Sequence, residues 1–307
     1  MKYAIFSDMH GNLPAFEAAL ADAKKQGAGK FLLLGDLCSP FPWANEIAET
    51  IRSMDFAHVI RGNGEGYLIN LLGQNQADWT YEQFKPLYWS FRALTAENLK
   101  YLTNLPETFD IADGGENIRL AHSLNIFFRS PKIKPFHSSY FRILMEKKPF
   151  SHEEYLAFAK KALLSRPDAL EQIRLLPKGV YLFGHNHMQF HMEHEGKIFV
   201  NPGSCGSACD CLTGAAYTLL EHTGDSWAVT ERRVEYDIQL AAGALRGSGL
   251  AAEAPVWAKI IEGQLMSGKD CFGEFVGHLI ETGQKLGKTE YPVGNDVWEA
   301  AVKSWEF

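Results

Sequence analysis

The chain reads as an α/β protein on three observations. Short, almost wholly apolar strand patterns recur along its first two thirds, amphipathic helical patterns separate them, and several strands stop at a residue able to bind a metal. Phe31 to Leu34 ends at Gly35-Asp36, and Val180 to Phe183 ends at Gly184 before delivering His185 and His187. Strand periodicity is two, so histidines two residues apart share one face and can present both imidazoles to one ion. That pair alone also suits an ordinary strand. Repetition at other strand ends is what gives it weight.

Composition bounds what the pattern can mean. With 307 residues, 46% apolar and 22% charged, the chain has the make-up of a globular protein, long enough for one large core or for a core plus a cap. One domain with insertions fits best: residues 1–235, interrupted by helical insertions at about 66–116 and 124–177, then a C-terminal helical extension, 236–307, packed on the same domain. The first residues enter a strand pattern directly, with no secretory segment, and no stretch approaches a membrane span. Cys38, Cys205, Cys209, Cys211 and Cys271 make an odd number, so reduced thiols and a cytoplasmic location are expected. A net charge of -7 argues against general affinity for nucleic-acid backbone. It leaves a phosphate ester open as a small substrate, because bound divalent cations invert the local field. Nothing in the residues sets an oligomeric state.

The first unit is strand, turn, helix, strand. Lys2 to Ser7 is a strand, and Asp8-Met9-His10-Gly11-Asn12 is a loop. Leu13 to Gln26 is a helix with Pro14 in its first turn and Gly27 past its end. Phe31 to Leu34 follows. Asp8 and Asp36 thus emerge at strand carboxyl ends, where open α/β sheets place ligands. A helix from Pro42 to Met54 leads to the strand His58-Val59-Ile60 and to Gly62-Asn63-Gly64-Glu65, whose glycines suit a tight turn that aims Asn63.

Glu65 to Asp113 is rich in aromatics, with Trp79, Tyr81, Phe84, Tyr88, Trp89, Phe91 and Tyr101, and its periodicity is helical up to a stop at Pro106. These read as core of a cap, with a minority available to line a pocket. Asn117 to Ala121 is a strand that brings in His122. The second insertion carries Arg129, Lys132, Lys134, His137 and Arg142, then a helix from His152 to Leu164. After His187 come strands at Met188 to Glu195 and Ile198 to Val200, then Asn201-Pro202-Gly203-Ser204. A hairpin, Ala215 to Glu221 and Trp227 to Val234, turns at Gly224-Asp225. The remainder is Ala- and Gly-rich, with short helical patches and no recognisable chemistry.

Asp8, His10, Asp36, Asn63, His122, His185 and His187 together suit a site for two divalent ions. Such ions, about 3.5 to 4 Å apart, can hold a bridging hydroxide for in-line attack on phosphorus. The mixed oxygen and nitrogen set suits Mn, Fe, Zn, Ni or Co without choosing among them.

In order, Asp8-x-His10, Gly35-Asp36, Gly62-Asn63-x-Glu65, His122 and Gly184-His185-x-His187 resemble the signature of the calcineurin-like metallophosphoesterase superfamily. Asn201-Pro202-Gly203-Ser204 and the hairpin ending Val234-Glu235-Tyr236-Asp237 are similar to its compact bacterial and archaeal phosphodiesterase branch. The resemblance implies a four-layer α-β-β-α sandwich of two mixed sheets with helical insertions. It implies a division of ligands too: Asp8, His10 and His187 on one metal, Asn63, His122 and His185 on the other, and Asp36 on both.

Many members carry a His directly after the motif's Asn, where it assists the leaving group; here that position is Gly64. A good leaving group is then favoured, or a proton donor from elsewhere, for which His137 and His152 are candidates. Cys205, Cys209 and Cys211 stand where relatives often have a basic residue, and read as reduced, partly buried thiols. The expectation is a dinuclear metal-dependent phosphoesterase acting on a phosphodiester or an activated ester. The alternatives are a phosphomonoesterase or dinucleoside polyphosphate hydrolase, and, in another class, a non-catalytic scaffold or sensor. A scaffold is expected to lose ligands, and here all seven positions are filled.

Overall fold

In a computed structural model, described for residues 1–113, 116–134, 151–224 and 226–306, ten strands form two five-stranded mixed sheets. The first has the order β10-β9-β1-β2-β3, built from β1 (Lys2–Phe6), β2 (Lys30–Leu33), β3 (Ala57–Val59), β9 (Ala215–His222) and β10 (Trp227–Val234). The second has the order β4-β5-β6-β8-β7, built from β4 (Thr108–Asp113), β5 (Glu116–Ala121), β6 (Gly179–Leu182), β7 (Gln189–His194) and β8 (Lys197–Pro202). In each sheet three parallel strands are flanked by antiparallel partners.

Strand alternation explains the layering. Tyr3 and Ile5 of β1, Leu32 of β2, Ile118 and Leu120 of β5, and Val180 and Leu182 of β6 meet in one buried cluster between the sheets. The alternate residues face outward. Ala4, Phe6, Phe31 and Leu33 pack on helices α1 (Leu13–Lys25) and α2 (Ala44–Arg52). On the other side, Tyr181 and Phe199 pack on α6 (His152–Ser165) and α7 (Pro167–Leu175). The central strands β1, β2 and β6 are covered on both faces, which is why they read as continuous apolar runs, whereas β7 and β10 leave alternate residues exposed. The result is the four-layer sandwich that the family resemblance implies.

Between β3 and β4 lie α3 (Asn63–Leu71), α4 (Lys85–Ala93) and α5 (Ala96–Thr103). The helical insertion expected over about 66–116 is corrected at its end: past the stop at Pro106 the chain is extended from Thr108, where Phe109 and Ile111 alternate with polar residues and pair with β5. After β10 come α8 (Ile238–Arg246), α9 (Gly249–Glu253), α10 (Pro255–Ser267), α11 (Cys271–Lys285) and α12 (Asn295–Ser304). These are fuller helices than the expected patches, gathered round Trp257, Phe275 and Trp298 and packed on Phe41, Trp43 and Trp89. Their small residues let helices approach, so burial rather than propensity sets their length. None of the described helices is long and apolar enough to cross a membrane. His137, Arg142 and Asp225 lie outside the described residues.

Candidate metal centre

Every residue of the centre sits just past a strand or at the start of a helix. Asp8 and His10 follow β1, Asp36 follows β2, Asn63 opens α3, His122 follows β5, and His185 and His187 follow β6. Two adjacent sheets therefore deliver their carboxyl ends to one place. Asp8, His10, Asp36, His185 and His187 all have left-handed backbone, with φ of 55°, 53°, 51°, 71° and 56°. Each such residue costs about 1 kcal/mol or more and persists only where the surroundings fix it.

The fixing is a web of backbone hydrogen bonds between loops. The amides of Asp8, His10 and Gly11 donate to the carbonyls of Gly35, Asp36 and Leu37 at 2.9 to 3.0 Å. The Cys205 and Gly206 amides donate to Ser7 and Asp8 carbonyls, and Ser204 Oγ donates to the Asp8 carbonyl at 2.8 Å. Glycines permit the approach. A Cβ on Gly184 would lie 1.9 Å from Ser7 Oγ, and one on Gly206 would lie 1.8 Å from the Met9 carbonyl oxygen. Gly206→Ala is therefore expected to lower stability by about 2 kcal/mol, because backbone rather than a mobile side chain must shift. Urea unfolding measures this; an unchanged midpoint and slope would contradict it.

Side-chain roles follow from what each group already bonds. His10 Nδ1 donates to the Ser39 carbonyl at 2.7 Å, His122 Nδ1 to that of Leu34 at 2.7 Å, and His187 Nδ1 to that of Ser207 at 2.5 Å. Each ring is thereby held in the tautomer that leaves Nε2 a bare lone pair. These lone pairs converge. His10 Nε2 and His187 Nε2 are 3.0 Å apart, and His122 Nε2 lies 3.0 Å from Asn63 Oδ1. His185 Nδ1 approaches the same Asn63 oxygen at 2.7 Å from the exposed side of the centre.

The carboxylates behave alike. Asp8 spends Oδ2 on the His185 amide at 3.0 Å, and Asp36 spends Oδ1 on the Gly64 amide at 2.7 Å. Their remaining oxygens face the histidines. Asp8 Oδ1 lies 3.2 Å from His187 Nε2, and Asp36 Oδ2 lies 3.5 Å from His122 Nε2 and 3.9 Å from His10 Nε2. Among the described residues, the recorded ion-pair partners of both aspartates are histidines.

Burial works to raise Asp8, but His187 and His122 outweigh it and hold the carboxyl down at about 2. Burial likewise works to lower His122, and Asp36 and then Asp8 outweigh it, holding the imidazole up at about 9. Two buried negative charges thus draw positive charge into the cavity, as protons on histidine if by no other means.

A test of fit to a metal is the one buried side-chain oxygen of the seven residues that is left without a hydrogen-bond partner. Asp8 Oδ1, on a fully buried residue, has no hydrogen-bond partner. An acceptor orphaned among imidazole lone pairs is expensive unless a cation completes it. Asp8, His10 and His187 bring ligand atoms within 4.8 Å of one another, and so do Asp8, Asp36 and His122. The donor set fits a divalent transition metal.

Of the expected site residues, the seven come together, and His152 is bonded to Asp210, its Nδ1 donating to that residue's carbonyl at 2.6 Å. Cys205 and Cys209 are buried and free, Cys209 Sγ lying 3.4 Å from His187 Nδ1. Glu65 has a role that its motif position did not disclose. Fully buried, it accepts the amides of Asp36 and Gly62 on Oε2 at 2.9 and 2.8 Å and that of Leu37 on Oε1 at 2.9 Å. It thereby ties the loop after β2 to the start of α3.

A two-sheet sandwich whose strand ends gather aspartates and histidines round an orphaned carboxylate oxygen defines a protein with a candidate metal centre between its sheets' carboxyl ends. More narrowly, residues 1–225 match the calcineurin-like phosphoesterase superfamily domain, and the chain belongs to that superfamily. An uncharacterized protein of Methanocaldococcus jannaschii is 26% identical over 255 residues, covering 78% of this chain and 89% of the relative. Two solved structures share the fold. A metallophosphoesterase from Sphaerobacter thermophilus is 23% identical with a TM-score of 0.60, over 87% of this chain and 100% of that one. A hypothetical protein from Pyrococcus horikoshii is 20% identical with a TM-score of 0.58, over 85% and 97%.

Proposed function

We propose that this chain hydrolyses a small phosphodiester or an activated phosphate ester at a dinuclear metal centre. The observation that carries this reading is the convergence of the Nε2 lone pairs of His10, His122 and His187 on the free oxygens of Asp8 and Asp36. When bound, two divalent ions would supply an activated water for in-line displacement and neutralise the phosphoryl oxygens. The chain's contribution is placement. Asp8, His10 and His187 would hold one ion, Asn63, His122 and His185 the other, and Asp36 would touch both. Backbone carbonyls lock the rings beforehand, so little reorganisation is left for the reaction.

Gly64 gives the reading its direction. Its amide is committed to Asp36, and a Cβ there would lie 3.1 Å from Asp36 Oδ1, so the position supports the carboxylate instead of donating to a leaving group. Esters whose alcohol departs without a proton are then favoured. The test is hydrolysis of bis-p-nitrophenyl phosphate against p-nitrophenyl phosphate, on protein stripped and reloaded separately with Mn, Ni, Co, Zn or Mg. A clear diester preference is expected. Preference for the monoester would point to a phosphatase, and no turnover with any metal would leave a scaffold or sensor.

A further inference from the structure

The C-terminal extension carries no motif of its own, yet one of its side chains reaches the loop that fixes a metal-site histidine. Gln264 lies in the last turn of α10 and is 5% exposed. A buried amide needs partners for both its oxygen and its nitrogen. Gln264 Oε1 accepts the Phe272 amide at 3.1 Å, satisfying a donor that the first turn of α11 cannot bond within its own helix. Gln264 Nε2 donates to Ser207 Oγ at 2.7 Å.

Ser207 is the residue whose main-chain carbonyl accepts the His187 Nδ1 proton at 2.5 Å. Its amide donates to Ser204 Oγ at 2.8 Å. The amide, the carbonyl and the hydroxyl of one residue are therefore bonded to three different parts of the molecule: the turn at Ser204, the His187 ring and α10. A second bond sets the same helix end against the same loop, the Gly268 carbonyl just past α10 accepting the Cys211 amide at 2.9 Å. Gly268 has left-handed backbone, with φ of 66°, and a Cβ there would lie 2.5 Å from the Leu212 carbonyl oxygen. Helix end and loop are thus in direct backbone contact. The partners behind a ligating imidazole set its orientation and its affinity for an ion.

We propose that Gln264 is a positioning residue for the metal centre, holding the His187 ring in place through Ser207. This deepens the reading above and rests on it for the ion that His187 would ligate. The extension is then part of the support of the centre and not an appendage to it.

The first test needs no metal. In stripped protein carrying isotopically labelled histidine, the His187 Nδ1 proton is expected to give a slowly exchanging magnetic-resonance signal, identified by its absence from His187→Gln. Gln264→Met, which keeps the bulk of the side chain and cannot donate, should speed that exchange roughly tenfold, and so should Ser207→Ala. Because the two side chains act through one bond, the double variant should exchange no faster than either single one. The second test is manganese affinity by calorimetry, with melting temperature marking an intact fold. In a His122→Ala background, which leaves the ion at His187, Gln264→Met should weaken binding roughly tenfold. In a His10→Ala background, which leaves the ion at His122, affinity should stay within about twofold. A native signal that is absent, or that exchanges as in Gln264→Met, overturns the proposal. So does an affinity that falls equally, or not at all, in the two backgrounds. Should Gln264→Met melt too low to assay, Ser207→Ala carries both tests. If the native chain binds no manganese, the metal-centre reading fails, and the metal-free exchange measurement alone upholds or overturns the link from Gln264 to His187.

Discussion

Asp36→Asn is expected to reduce diester turnover roughly a thousandfold in metal-loaded protein while leaving the fold in place. The amide oxygen can still accept the Gly64 amide as Asp36 Oδ1 does at 2.7 Å, so the loop after β2 keeps its support. What is lost faces the cavity. The position of Oδ2, 3.5 Å from His122 Nε2 and 3.9 Å from His10 Nε2, would become an amide nitrogen whose hydrogens repel a cation. The negative charge that would be shared by both ions disappears as well. Steady-state assays at saturating metal, with circular dichroism as the control, measure this. Turnover within threefold or so of the native value would contradict a bridging role.

The largest expected effect on stability belongs to Glu65→Ala, at about 3 to 5 kcal/mol. The buried carboxylate accepts three backbone amides, from Asp36, Leu37 and Gly62, and truncation strands all of them away from water. Glu65→Gln should lose less. Its oxygen can replace Oε2 for Asp36 and Gly62, while its amino group opposes the Leu37 amide. Urea unfolding of the three proteins should therefore rank them native, Gln, Ala. A loss below about 1 kcal/mol for the alanine variant would show that the loop after β2 is held by other means.

Much of this was legible in the residue order because the chemistry coincides with punctuation. Asp8, Asp36, His122 and the His185, His187 pair are each the first reactive side chains after an apolar run, and a strand buried on both faces announces its own end. The second sheet was not legible, since periodicity reports that a strand is buried and not which partner it has. β4 was hidden because its six residues follow a long helical stretch, and only pairing with β5 makes them a strand. The tautomer locks escaped for a different reason. The acceptors are main-chain carbonyls of Leu34, Ser39 and Ser207, which have no side-chain signature, so only the fold reveals them. Glu65 was visible as part of a motif, but its three amide partners depend on two loops meeting.

The most direct measurement of the central claim is the number of ions the chain binds. Isothermal titration of stripped protein with manganese, checked by elemental analysis after dialysis, should give two ions per chain. His10→Ala and His122→Ala should each lose one, because the proposed division of ligands gives them to different ions. Two ions in the native chain and one in each variant would support the division of ligands. One ion or none in the native chain would contradict a dinuclear centre.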